Sequence, residues 1–280
     1  MRQVAPLNRQ GIERQLAALG LGSGMSVEVH SSLSRMGHVE GGAATAVEAL
    51  LNVVGPHGAV VMSAYPVSLP LPVSEQERRQ GISWKIRRFS EDSRERSGMG
   101  AIADTFRNRS DVVLGTGLHR VCAWGKDAAR HAKAGYQHLA DTRGLALLIG
   151  VGIDRCSSMH LSERVEVGEK ARVLMNDLWT PKGAVTISEE TRRQYPPDII
   201  VGAPDGWLTG DPWTNAREEA DRRGLIQRGT VGKAECMLFR VSELVGLLEA
   251  VYQHGPFRKV RCSARTIGGP NKKGGAGRIP

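Results

Sequence analysis

The run "SVEVHSSLSRMGHVEGGAATAVEALLNVVGPHGAVVMSAYP", residues 26–66, restricts the fold more than any other part of the chain. Ser26 to His30 reads as a strand that enters a small polar turn. Gly41 and Gly42 open a helix with Ala46, Leu50 and Val53 on one face, and Gly55-Pro56 ends it. "AVVMSAYP" then reads as a second buried strand. Strand, polar loop, helix and strand make a βαβ unit, which implies parallel pairing with a right-handed crossover. The expected class is α/β.

The rest of the chain supplies further units of both kinds. "IERQLAALG" places Ile12, Leu16 and Leu19 at helical spacing and stops at Gly20. "GMGAIADTFRNRSD" reads as helical after Gly100, "VVLGTGLHRVCAWG" as strand, glycine turn and strand, and "DAARHAKAG" as a short helix. "LALLIGVG" is the next core strand. "VTISEETR" reads as strand and turn. "VSELVGLLEAVYQHG" is an amphipathic helix with Val241, Leu244, Leu247, Leu248 and Val251 on one side. Residues 67–98 interrupt the pattern with prolines and then dense mixed charge, the signature of a long charged surface excursion or loop insertion.

Charge locates the end of the domain. The net charge of +9 is concentrated, since residues 258–280 carry seven Lys/Arg and no acid, leaving 31 basic against 29 acidic residues elsewhere. We therefore expect one α/β domain over 1–257 and a basic flexible tail over 258–280, either a solvated end or a contact for phosphate-rich ligands and RNA. No apolar run approaches the length of a membrane span, and the first twenty residues lack a signal-peptide core. The expected place is the cytoplasm, with no membrane contact. Cys122, Cys156, Cys236 and Cys262 show no CxxC spacing, so neither a zinc site nor a redox pair is implied.

Three stretches carry candidate chemistry. In "VHSSLSRMG", Ser31, Ser32 and the loop amides follow a strand end, where α/β sheets bind ligands; the turn either holds phosphate oxygens or caps the helix. In "LGTGLHRV", Gly115, Thr116 and Gly117 allow close backbone approach and His119 follows; His119 is a core histidine or a functional one. In "SSMHLSERVE", His160 and Glu163 share a face if the segment is helical. They form a base with its orienting acid, an anchor for a cationic substrate, or a surface ion pair. Two metal ligands at this spacing lack a third, so no metal is expected.

Together these stretches resemble the aminoglycoside 3-N-acetyltransferase (antibiotic NAT) family, of which the chain looks like a divergent member. That family's strand "HSSLSxxG", its "GG" helix start and "GPxGTLVMP" appear here as "HSSLSRMGHVEGGAATAVEALLNVVGPHGAVVMSAYP". Its "LLLGVG" and "NTTLHLAE" appear as "LLIGVGIDRCSSMHLSE", and "GLIQRGTVGKAECMLFRVSELVGLLEAV" fits its closing pattern. The likeness runs from residue 8 to about 252. Its "RSxHP" is replaced by "VLGTGLHR", with His119 nearby.

The resemblance implies an α/β fold with a central, mostly parallel sheet flanked by helices. It implies a CoA-dependent N-acyltransferase that moves the acyl group of acetyl-CoA or another acyl-CoA to an amine of an antibiotic or natural-product intermediate. His160 matches the imidazole that activates the amine and Glu163 its orienter. Ser157 keeps a hydroxyl suited to the oxyanion. Ser31, Ser32 and Leu33 match the CoA loop, with Gly115, Thr116, Gly117 and His119 as further donor-facing positions. The near-neutral body suits an acceptor less basic than a polycation. Two other expectations keep the fold: a larger donor, a carrier protein or aminoacyl-tRNA met through the basic tail, or a silent ligand-binding homologue.

Overall fold

The computed structural model describes residues 6–166, 187–202 and 211–257. The proposed tail, 258–280, lies outside them. Its strands are β1 (Ser26–Ser31), β2 (Ala59–Ser63), β3 (Trp84–Arg87), β4 (Val113–Leu114), β5 (Val121–Gly125), β6 (Leu145–Ile149), β7 (Ile199–Gly202), β8 (Gln227–Val231) and β9 (Ala234–Arg240). Seven of them form one sheet in the order β4-β5-β2-β1-β6-β9-β8. The βαβ unit stands as the sequence implies: β1 pairs parallel with β2, Ser26 opposite Ala59, and the helix Gly42–Val54 crosses between them. β1 also pairs parallel with β6, from Val27 opposite Leu145 to Ser31 opposite Ile149. The parallel core is thus β2-β1-β6, and antiparallel wings, β4-β5 and β9-β8, extend it on both sides.

Strand alternation divides the core between the two faces. Val27 and Val29 of β1, Val60 and Met62 of β2 and Leu147 and Ile149 of β6 pack on one side with the helices Arg9–Leu19, Gly42–Val54 and Ala101–Arg107. Ala146, Leu148, Met237 and Phe239 point to the other side, onto the helices Asp211–Arg222 and Val241–His254. Both layers are built mainly of apolar side chains, and each fully buried aliphatic side chain contributes about 1.5–3 kcal/mol of transfer free energy. The Arg9–Leu19 helix begins where Asn8 accepts the amide of Gly11 and ends at Gly20, whose φ of 106° is left-handed.

The charged stretch 67–98 is more ordered than its composition suggests. Ser74 and Glu77 form a capping box for the short helix Glu75–Arg79. β3 then pairs antiparallel with β7, and Ile82, Ile187 and Val201 close a small separate core. Glu77 fastens this lobe. It takes the Lys85 ammonium at 2.6 Å and the Tyr195 hydroxyl at 2.8 Å, and the ammonium in particular holds its carboxyl at about 2. Gly202 is obligatory there, because a Cβ would lie 2.0 Å from the Trp84 ring. The far end of the stretch is tied to the main body. Asp104, on the Ala101–Arg107 helix, accepts the Ser97 amide at 2.9 Å, the Ser97 hydroxyl at 2.6 Å and Arg107 Nε at 2.9 Å. Arg107 also donates to the carbonyls of Ser93 and Glu95. Asp104 and Arg107 are both buried.

"VTISEETR" departs from its reading as strand and turn. Residues 185 and 186 lie outside the described residues, and Glu189–Arg193 is a helix. Ser188 accepts the amide of Thr191, and Glu189 and Glu190 sit in the first turn, where the helix dipole favours acids. Among the described residues no helix is long and apolar enough to cross a membrane.

His131, on the helix Ala128–Ala134, makes the fold sensitive to acid. It is 2 % exposed, its Nδ1 has no hydrogen-bond partner, and the His138 ring lies 4.6 Å away. Burial first, then the neighbouring His138, push its pKa down to about 4. In the unfolded chain the group titrates near 6.5. The unfolded state therefore binds the proton first as pH falls. The stability His131 contributes is fully present above pH ~6.5 and is lost between there and about pH 4, up to about 3 kcal/mol. His131→Leu should flatten this part of the urea-midpoint-versus-pH curve; an unchanged acid limb would refute the assignment.

Candidate active site

The connections from β1 and β6 leave on opposite faces of the sheet. After β1 the chain passes through the 3₁₀ turn Leu33–Met36 to the Gly42–Val54 helix on the first face. After β6 it runs through Gly150–Gly152 into the 3₁₀ segment Ser157–Arg164, which packs against the Val241–His254 helix on the second. Adjacent parallel strands with oppositely directed connections open a crevice at their carboxyl ends. A cleft of about 1020 Å³ lies there.

Its floor is made by hydroxyls. Ser31, Ser32, Leu33 and Ser34 line it from the β1 turn, Ser63 and Tyr65 from the end of β2, and Ser157 from the segment after β6. Ser63 Oγ lies 2.6 Å from the Tyr136 hydroxyl and 3.1 Å from Ser157 Oγ. Burial raises the pKa of Tyr65 and of Tyr136, so both stay protonated donors at neutral pH. Arg35, Arg96 and Arg155 line the cleft together with one acid, Asp154, which lies 3.3 Å from Arg155 Nε. Gly42, at the start of a helix with no side-chain cap, lines it too, and so turns the amide end of a helix dipole toward it.

Beneath the floor is a buried polar cluster that sequence reading passed over. Glu28 and His30 alternate along β1 and therefore share a face. Glu28 is fully buried, and its carboxylate meets His30 Nε2. It also accepts the Ser158 amide at 3.1 Å, while the Ser157 amide lies 3.2 Å from His30 Nε2. Cys156 Sγ is 4.0 Å from the second Glu28 oxygen, and burial first, then Glu28, raise its pKa well above the ordinary thiol range. The available signal was the acid inside the apolar strand "SVEVHS": a carboxylate at that position must be buried, and a buried carboxylate needs partners.

The segment carrying His160 is a 3₁₀ helix. At three residues per turn, positions three apart eclipse. Ser157, His160 and Glu163 therefore follow one another along a single edge, from the cleft outward. His160 Nδ1 lies 2.5 Å from Glu163 Oε1, and the two side chains are 46 % and 36 % exposed. The His160 ring packs edge-on against buried Trp213 at 5.0 Å. Of the residues singled out from sequence, Ser31, Ser32, Leu33 and Ser157 line the cleft; His160 and Glu163 do not. Gly115, Thr116, Gly117 and His119 occupy the β4–β5 turn, also outside the lining residues. Gly115 is pressed against the neighbouring helix, where a Cβ would lie 2.4 Å from the Ala132 carbonyl. His119 reaches the cleft only through Tyr65, ring to ring at 5.3 Å.

Comparison with known proteins agrees with this architecture. The family model described as aminoglycoside 3-N-acetyltransferase matches residues 29–253. The SPbeta prophage-derived aminoglycoside N(3')-acetyltransferase-like protein YokD of Bacillus subtilis (strain 168) is 27 % identical over 296 aligned positions, covering 91 % of this chain and 96 % of that protein. Among solved structures, a mutant of aminoglycoside acetyltransferase AAC(3)-IVa in complex with apramycin superposes with a TM-score of 0.61 at 21 % identity, covering 89 % of this chain and 93 % of that one. AAC-IIIb in binary complex with CoASH superposes with a TM-score of 0.57 at 18 % identity, covering 88 % and 96 %. The model spans β1 through the last helix, cleft included, and the chain belongs to the aminoglycoside 3-N-acetyltransferase family of acyltransferases.

Proposed function

We propose that the protein transfers the acetyl group of acetyl-CoA directly to an amine, with the donor in the cleft at the β1–β6 crevice and the acceptor at the His160 edge. The observation that carries the reading is the cleft itself. It combines a serine-rich turn, an uncapped helix start and three arginines, the donors that a diphosphate-bearing ligand needs. Ser31, Ser32 and Leu33 hold the donor; AAC-IIIb, which shares the fold, forms a binary complex with CoASH.

The chemistry follows from the eclipsed edge. An aliphatic amine is mostly protonated at neutral pH and must lose a proton before its lone pair attacks the thioester carbon. With Nδ1–H donated to Glu163, His160 turns Nε2 outward as the accepting base. The carbonyl π pair moves to oxygen, and Ser157 with its Ser63 and tyrosine hydroxyl partners stabilises that oxyanion. The intermediate collapses to the amide and the C–S bond breaks; the CoA thiolate takes up the proton held by His160, and the freed imidazole accepts the second proton that the amide nitrogen sheds.

Calorimetric titration with acetyl-CoA, with and without residues 258–280, tests the donor half. Expected is binding that survives removal of the tail and weakens in the Ser31→Asp, Ser32→Asp double variant. No binding by either length of chain would overturn acetyl-CoA as donor. The acceptor half is read as acetyl-CoA-dependent release of CoA thiol, with apramycin, the ligand named for the AAC(3)-IVa complex, as the first amine.

A further inference from the structure

We propose that Glu28, His30 and Cys156 bind one divalent transition-metal ion of the zinc class. The nearest oxygen, nitrogen and sulfur of the three side chains all lie within 4.8 Å of one another. Glu28 is 0 % exposed and Cys156 1 %, and His30 opens the cluster to the cleft. A thiolate, an imidazole and a carboxylate are the donor set of a tetrahedral zinc or cobalt site with one position left for solvent or ligand.

The hydrogen bonds around the cluster make the case stronger than proximity does. His30 Nε2 faces the Glu28 carboxylate and the Ser157 amide together. If Nε2 carries a proton for Glu28, that proton also points at an N–H donor. If it is bare to accept from Ser157, its lone pair meets a carboxylate oxygen. A cation at the convergence of Nε2, the carboxylate and Sγ satisfies all three and leaves the Ser157 amide to the cleft. Charge balances as well. Among the described residues the only ion-pair partner of Glu28 is His30. A buried carboxylate and a buried thiolate together neutralise a dication, with the thiol proton released to solvent. The surroundings behave as a second shell: the Ser158 amide donates to Glu28 at 3.1 Å, and Ser158 Oγ lies 3.3 Å from Cys156 Sγ.

This cluster is distinct from the His160–Glu163 pair, whose spacing lacked a third ligand, and it does not rest on acetyl transfer. The test uses the full-length protein, stripped with a chelator and titrated with Co²⁺. Expected is one equivalent bound, with the intense visible bands of tetrahedral cobalt and a near-ultraviolet thiolate charge-transfer band, all bleached by Zn²⁺. Cys156→Ser should abolish the charge-transfer band. His30→Gln should keep that band and weaken binding by more than the ~10–100-fold typical of an outer-shell partner. Cys236→Ser, a buried thiol on β9, should change nothing. Metal-free thermal unfolding checks that each variant folds. Absence of a thiolate band at every cobalt concentration the protein tolerates overturns the proposal, as does a band that survives Cys156→Ser.

Discussion

On the proposed mechanism, His160→Ala should lower kcat for acetyl transfer by ~10²–10⁴-fold, the usual contribution of a positioned general base, and should leave the affinity for acetyl-CoA unchanged. The split follows from geometry. His160 is not among the residues that line the cleft; it lies one 3₁₀ turn beyond Ser157, and its ring rests on Trp213. Glu163→Gln should act through the imidazole: it keeps a hydrogen-bond acceptor at Nδ1, so the loss of kcat should be smaller than in His160→Ala. Single-turnover kinetics compare the two variants. An alanine variant with undiminished single-turnover rate would remove His160 from the chemistry and return it to a surface pair.

Asp104→Ala should destabilise the protein by about 3–5 kcal/mol, because it leaves the Arg107 guanidinium buried without its counter-ion. The same change releases the Ser97 amide and hydroxyl. Residues 96 and 98–101 border the donor cleft, so acetyl-CoA binding should weaken together with stability. Urea unfolding gives the first quantity and calorimetry the second. Replacing both Asp104 and Arg107 by leucine should cost less than the two single replacements added together, since no unpaired charge remains. Additive losses would mean that the pair is not coupled.

The centre of the molecule was legible because its signals are local. The β1–helix–β2 unit declares itself by periodicity and by glycine stops, and both β6 and the closing helix Val241–His254 follow the same logic. The lobe formed by residues 67–98 was not legible, for a topological reason. The partner strand of β3 is β7, more than a hundred residues later, and nothing in "WKIR" announces that distance. The helix Glu189–Arg193 falls where a turn was expected: five residues are too few to show a helical period, and its local signal is the Ser188 cap. At the site, the i,i+3 spacing of His160 and Glu163 was readable and their contact is present. The Glu28–His30–Cys156 cluster is not local: Cys156 lies more than a hundred positions from Glu28, and the parallel pairing of β1 with β6 brings them together.

The opposite departures of the β1 and β6 connections have a consequence for how such a protein can change over time. Each departure commits its loop to a different apolar layer, one built on the helices Gly42–Val54 and Ala101–Arg107, the other on Asp211–Arg222 and Val241–His254. Substitutions in distant, unshared packing environments add almost independently. If the serine turn holds the donor and the His160 edge the acceptor, as proposed, substitutions in the helices beneath that edge, Asp211–Arg222 and Val241–His254, can alter the choice of acceptor with little strain on the layer beneath the serine turn.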